Sequence, residues 1–271
     1  MRIEGGKREM LARLELKLGG TEPLSYQMTS SFHGALMELL PEYAAELHES
    51  RLHPYTQHLE RRESGWYWVV TALNDLAVSE IMEKALRSLD EIRIRSHQLR
   101  IPILEREYRE LSDREFSASF YQGEGGRYIG LQFVTPTAFK QNGRYLNFPD
   151  LRFMFLNLMN KYDAAISDSS MRDDEVLEQL LNGASLHRYE LRSTVFSLEG
   201  VRIPAFLGKM VLKISGTQTM ANFARMLFLF GSYSGIGIKT ALGMGAIRVS
   251  EERKTGHEGG AAQAEHRKSF A

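Results

Sequence analysis

Four glycines fall within residues 235–245, in the run Gly235-Ile-Gly237-Ile-Lys239-Thr240-Ala-Leu-Gly243-Met-Gly245. The preceding segment, 219–230, sets Phe223, Met226, Leu227 and Phe230 at helical spacing, and 246–250 reads as a strand. A glycine-rich connection that leaves a helix and enters a strand is not a dinucleotide-binding turn, which runs from strand to helix. It is not a Walker loop either, because the GxxxxGK(S/T) order is absent. Glycine accepts positive φ and permits close backbone approach. Two readings follow from the pattern. One is a tight connection that needs several left-handed residues. The other is a cradle of successive N–H groups around a phosphate, with Lys239 adding charge and Thr240 a hydroxyl donor.

The rest of the chain supplies alternating elements. Residues 10–18 alternate apolar Ala12, Leu14, Leu16 and Leu18 with Arg13, Glu15 and Lys17, the period of a half-buried strand. A Thr/Ser cap at 29–31 opens a helix carrying Phe32, Leu36, Leu39 and Leu40, and Pro41 starts a short helix that runs to His48. Residues 65–73 are aromatic and β-branched, hence a strand. Asn74-Asp75 caps a helix through Leu89, and 92–95 and 98–109 read as strands. The first half is therefore β-α-β-α-β-β, close to the ferredoxin-like β-α-β-β-α-β unit. In the second half, strands are expected at 117–121 and 128–134, around the turn QGEGGR. Helices follow at 148–162 and 174–181, with Pro149 near the first position of the former. A hairpin over 188–198 and 201–215 turns at Glu199-Gly200. That half again reads β-α-β-β-α-β. The fold class is α+β, two tandem units of one kind: 1–115, 116–250 and a fraying tail at 251–271.

Composition excludes several functions. The 271 residues contain no cysteine, which removes disulfides, thiolate metal sites and cysteine nucleophiles. No apolar stretch is long enough for a membrane span, and residues 1–10 lack a signal-peptide core, so a soluble, cytoplasmic protein is expected. Net charge is zero, from 34 basic and 34 acidic residues, but the charge is segregated. Between 186 and 249 eight basic residues face two acidic ones, whereas 150–185 holds seven acids and three bases. A local basic surface of this kind suits RNA phosphates.

The segment GSYSGIGIKTALGMGAIRV resembles the C-terminal glycine-rich signature of the CRISPR-associated endoribonucleases of the sixth Cas family, in the RAMP superfamily. Residues 131–163, with Thr135-Pro136-Thr137-Ala138-Phe139 and Pro149, resemble the family's middle segment, and Gly208 in FLGKM also fits. ELHESRLHPYT resembles the segment that carries the active-site histidine. The resemblance implies two tandem ferredoxin-like (RRM-like) domains. It also implies metal-independent cleavage of CRISPR repeat RNA, by 2′-hydroxyl attack giving a 2′,3′-cyclic phosphate and a 5′-hydroxyl. The alternative is a non-catalytic RNA-binding subunit of a CRISPR effector complex. No cofactor is implied. The partner is repeat RNA, with a homodimer and association with an effector complex left open.

Such a reaction needs a base, an acid and donors to the phosphate oxygens. Of eight histidines, His257 and His266 lie in the tail, and His97 and His187 read as ordinary surface residues. By resemblance, His48 takes the family's histidine position, and His33 stands where relatives place an assisting tyrosine. Which of the two is base stays open. Some relatives use a lysine shortly after the histidine; here Arg51 and His53 occupy that region. His48, His53 and His58 recur every five residues, a spacing that diverges on a helix and alternates on a strand, so a metal site is rejected. The RNA-binding residues expected are Gly235, Gly237, Lys239, Thr240, Gly243 and Gly245 of the loop, with Arg188, Arg192 and Lys209 of the basic hairpin. Trp66, Tyr67 and Trp68 could stack bases, but their alternation turns at least one ring to the core and no RNP1 sequence is present, so core packing is the better reading.

Overall fold

The computed structural model describes residues 10–49, 52–121, 125–166 and 170–252, excluding the side chains of residues 10, 48, 49, 113, 119 and 252. Most of the expected tail therefore lies outside the described residues, as does part of the QGEGGR turn. Strand β1 (Met10–Leu18) buries Ala12, Leu14, Leu16 and Leu18 on one face, as its alternation requires. Helices α1 (Thr29–Leu39) and α2 (Pro41–Glu49) follow, then β2 (Tyr55–Arg62) and β3 (Gly65–Ala72). The residue before α1 is Met28, not a side-chain cap, and the Thr29 hydroxyl instead donates back to the Tyr26 carbonyl at 2.7 Å. Asn74 does cap α3 (Asp75–Ala77), accepting from the Ala77 amide, and the helix continues as a π-helical segment over Val78–Leu86. Strands β4 (Glu91–Ile94) and β5 (Leu99–Ser112) complete an antiparallel sheet of order β2-β3-β1-β5-β4.

Strand β2 was not expected, because YTQHLERR lacks an apolar alternation. Tyr55 and Leu59 enter the core, and Thr56, Gln57 and Glu60 are buried with hydrogen-bond partners. With β2 in place, the first half is a β-α-β-β-α-β ferredoxin-like unit whose last strand is β5, with β4 added at the sheet edge.

The second half opens on a correction. Residues 117–121 belong to helix α4 (Asp113–Tyr121), not to a strand. Ser112 and Glu115 form a capping box: the Glu115 amide donates to Ser112 Oγ at 3.3 Å, and the Ser112 amide to Glu115 Oε2 at 3.0 Å. The spacing of Phe116 and Phe120 then fits one face of a helix. Strand β6 (Tyr128–Thr137) leads through the short hairpin β7 (Phe139–Gln141) and β8 (Arg144–Leu146) to α5 (Leu151–Ala165). Asp150 caps α5, so Pro149 precedes the cap. Helix α6 (Asp174–Gly183), the hairpin β9 (Ala184–Leu198) and β10 (Val201–Ile214), helix α7 (Gln218–Ser234) and β11 (Ile247–Glu252) follow. Glu199 and Gly200 both take positive φ, 48° and 80°, as the tight turn of this hairpin demands. The sheet order β11-β6-β10-β9 matches β5-β1-β3-β2 of the first unit, which carries β4 as an additional edge strand. The fold is two tandem ferredoxin-like units.

Polar groups join the units. Gln57 donates to the carbonyls of Thr29 and Ala241, both at 3.0 Å, while Trp68 Nε1 donates to Gln57 Oε1 at 2.6 Å. Thr56 and Thr71 donate to the Tyr233 carbonyl. Glu60 of β2 receives Arg248 of β11 on both carboxylate oxygens at 2.5 Å and also bonds Arg62. Burial works against the Glu60 charge, but His58, Arg248 and Arg62 outweigh it and hold the carboxyl at about 2, against an ordinary 4.5. Such a depression stabilises the folded state above pH 4.5, and the contribution is lost as pH falls through about 2. Its size is on the order of 3 kcal/mol. Urea midpoints measured from pH 6 down to pH 2 are expected to fall, and Glu60→Gln is expected to flatten that fall.

Candidate active site

A cleft of 430 Å³ opens between the units. One wall is His33 and Met37 of α1 with Leu52 and His53 ahead of β2; the other is α5 and the glycine-rich loop, through Asn157, Lys161, Lys239 and Thr240. Among the described lining residues are two lysines and two histidines and no carboxylate. Basic groups gathered in a partly closed cleft without a described carboxylate attract a polyanion.

His33 Nδ1 lies 2.8 Å from the Tyr55 hydroxyl, with the two rings nearly parallel at 7°. Burial pushes the Tyr55 hydroxyl well above its ordinary value, so it keeps its proton. A hydroxyl that donates to Nδ1 fixes the tautomer with its proton on Nε2; one that accepts from Nδ1–H leaves Nε2 as a base. Tyr55 therefore orients the imidazole and serves either role. His53, exposed on the same rim, has its ring 5.8 Å from that of Tyr55. His48 belongs to the last turn of α2, whose Ala44 and Leu47 line the cleft, and its side chain lies outside the described residues.

In the loop, two of the glycine amides are taken up by the protein. Gly237 donates to Asn157 Oδ1 at 2.8 Å and Gly245 to the Pro136 carbonyl at 3.0 Å. Gly235, Gly237, Gly243 and Gly245 are all buried with positive φ, and a Cβ on Gly245 would stand 2.0 Å from the Ile236 carbonyl oxygen. Lys239, left-handed at φ 56°, is the exposed residue of the run. This geometry fits the tight-connection reading, and Lys239 and Thr240 are the polar side chains that the loop presents at the cleft.

Arg188, Arg192 and Lys209 do not share this cleft. They line two other grooves, one of 510 Å³ on the second sheet with Arg188, Tyr189 and Lys209, the other of 330 Å³ between the two sheets with Arg61, Arg192, Lys209 and Arg248. Gly208 sits between them at φ 129°, where a Cβ would meet the Glu190 carbonyl oxygen at 2.0 Å. Trp68 is core, packed edge-on against Phe32 at 5.3 Å, and His58 is held near Glu60.

Tyr55, Asn157 and Lys161 were missed. Lys161 is buried on α5, and burial pulls its ammonium down to about 7. It lies in the acidic stretch of the chain, so charge counting pointed away from it. Asn157 and Lys161 stand one turn apart, a spacing visible in the sequence, but nothing local marks which face of α5 meets the loop.

The family profile described as "CRISPR-associated endoribonuclease Cas6" matches residues 131–247. The Cas6 of Streptococcus thermophilus is 33% identical over 231 residues, covering 82% of this chain and 91% of that protein. A Mycobacterium tuberculosis Cas6 is 32% identical over 248 residues, covering 89% of this chain and 79% of that protein. Among solved structures, a Cas6 product complex superposes with a TM-score of 0.75 at 24% identity, covering 89% of this chain and all of that one. The Cas6 of Thermus thermophilus gives 0.68 at 22% identity, covering 91% and 100%. The structural matches bear on the fold alone. No helix among the described residues is long and apolar enough to cross a membrane.

Proposed function

The chain belongs to the family of CRISPR-associated endoribonucleases known as Cas6, and from that membership we propose that it binds CRISPR repeat RNA in a precursor transcript and cuts it in the cytoplasm to release guide RNAs. The observation that carries this reading is the cleft: two lysines and two histidines with no carboxylate among its described lining residues. The scissile phosphate lies in the cleft, with Lys239 beside a non-bridging oxygen. The adjacent 2′-hydroxyl attacks phosphorus. One histidine takes its proton and another gives a proton to the departing 5′-oxygen, leaving a 2′,3′-cyclic phosphate and a 5′-hydroxyl. His33 and His48 are the proposed pair; Tyr55 orients the His33 ring. Among the described lining residues there is no carboxylate to anchor Mg²⁺, which supports a metal-independent route. Arg188, Arg192 and Lys209 hold flanking RNA on the second sheet.

The test is incubation with end-labelled repeat RNA in EDTA. Cutting that persists and leaves cyclic-phosphate ends is expected. Binding without cutting would instead mark a non-catalytic RNA-binding subunit, and no binding at all would defeat both readings.

A further inference from the structure

Lys161 is an expensive residue to bury. Its ammonium donates to the carbonyls of Ser234 and Gly235, both at 3.0 Å, and to Thr240 Oγ1 at 3.2 Å. Those carbonyls end α7, whose dipole there favours a cation. All three N–H bonds are used, on neutral acceptors. If Lys161 only filled space, a methionine would do so without the desolvation cost. The third bond shows what the charge adds. Thr240 accepts from a cation and lines the cleft beside Lys239. A hydroxyl with its acceptor side so occupied turns its own O–H elsewhere and becomes a stronger donor.

We propose that Lys161 is a positioning residue for RNA cleavage: it aims and polarises the Thr240 hydroxyl toward a non-bridging oxygen of the scissile phosphate. Asn157, one turn earlier on α5, fixes the same loop through Gly237. This deepens the cleavage reading above and rests on it.

Four proteins test the proposal: wild type, Lys161→Met, Thr240→Val and the double variant. Each is assayed for single-turnover cleavage and for affinity toward a repeat RNA blocked by a 2′-deoxy substitution. Each single variant is expected to cut about a hundredfold more slowly, the cost of one lost donor to transition-state charge, with nearly unchanged affinity. The double variant is expected to be no slower than either. Multiplying losses, wild-type cutting by Lys161→Met, or losses that track affinity would overturn the proposal. Should Lys161→Met fail to fold, Thr240→Ser against Thr240→Val decides: the serine must cut near the wild-type rate and the valine must not. A wild-type protein that never cuts would defeat the parent reading instead.

Discussion

Replacing His33 by alanine is expected to slow single-turnover cleavage by about 10²- to 10⁴-fold, the usual worth of a positioned acid or base. His33 lines the cleft, and its Nδ1 is committed to a tyrosine hydroxyl at 2.8 Å. That hydroxyl is buried and keeps its proton across the working range. The tyrosine therefore holds the ring in one orientation at the cleft wall. Affinity for repeat RNA is expected to change little, because a transition-state interaction is what is lost. A Tyr55→Phe variant, which keeps the packing and removes the hydroxyl, is expected to lie between wild type and the alanine variant. Equal rates for wild type and His33→Ala would move the chemistry off this histidine.

The second large effect is expected at Gly245, where an alanine should destabilise the protein by about 3–5 kcal/mol. Left-handed backbone costs a Cβ-bearing residue about 1–2 kcal/mol, and Gly245 has φ 73°. The larger part is steric. The new Cβ would stand 2.0 Å from the Ile236 carbonyl oxygen, an oxygen on the backbone that cannot swing aside. The Ile236 amide also donates to the Gly245 carbonyl at 2.8 Å, and the Gly245 amide to that of Pro136 at 3.0 Å. Shifting either segment breaks bonds that seat the loop on the second sheet. Urea unfolding of the variant measures the cost, and a loss below about 0.5 kcal/mol would show that the loop is soft.

How far the sequence reaches is clearest at particular residues. Strands β1 and β3, the β9–β10 hairpin and helices α2, α5, α6 and α7 follow from periodicity, caps and turn residues. Strand β2 does not. Its polar residues Thr56, Gln57 and Glu60 are buried because partners distant in sequence satisfy them: Tyr233, Ala241 and Arg248. No local pattern encodes that compensation. The misread strand at 117–121 was avoidable, since Ser112 and Glu115 already spelled a capping box. The glycine-rich run was legible as a loop, but not the direction of its amides, which depends on Asn157 and Pro136. His33 reached notice only through family resemblance; its tyrosine partner comes from β2, the strand that periodicity missed. Lys161 lay hidden for the opposite reason, a single base among acids whose neighbours are supplied by α7.

The central claim is that the RNA's own 2′-hydroxyl is the nucleophile, served by cleft side chains. It is tested most directly with a repeat RNA carrying one 2′-deoxy substitution at the nucleotide preceding the cut. Tight binding without cleavage at that position is the predicted result. Cutting there at the rate of the all-ribose RNA would contradict it.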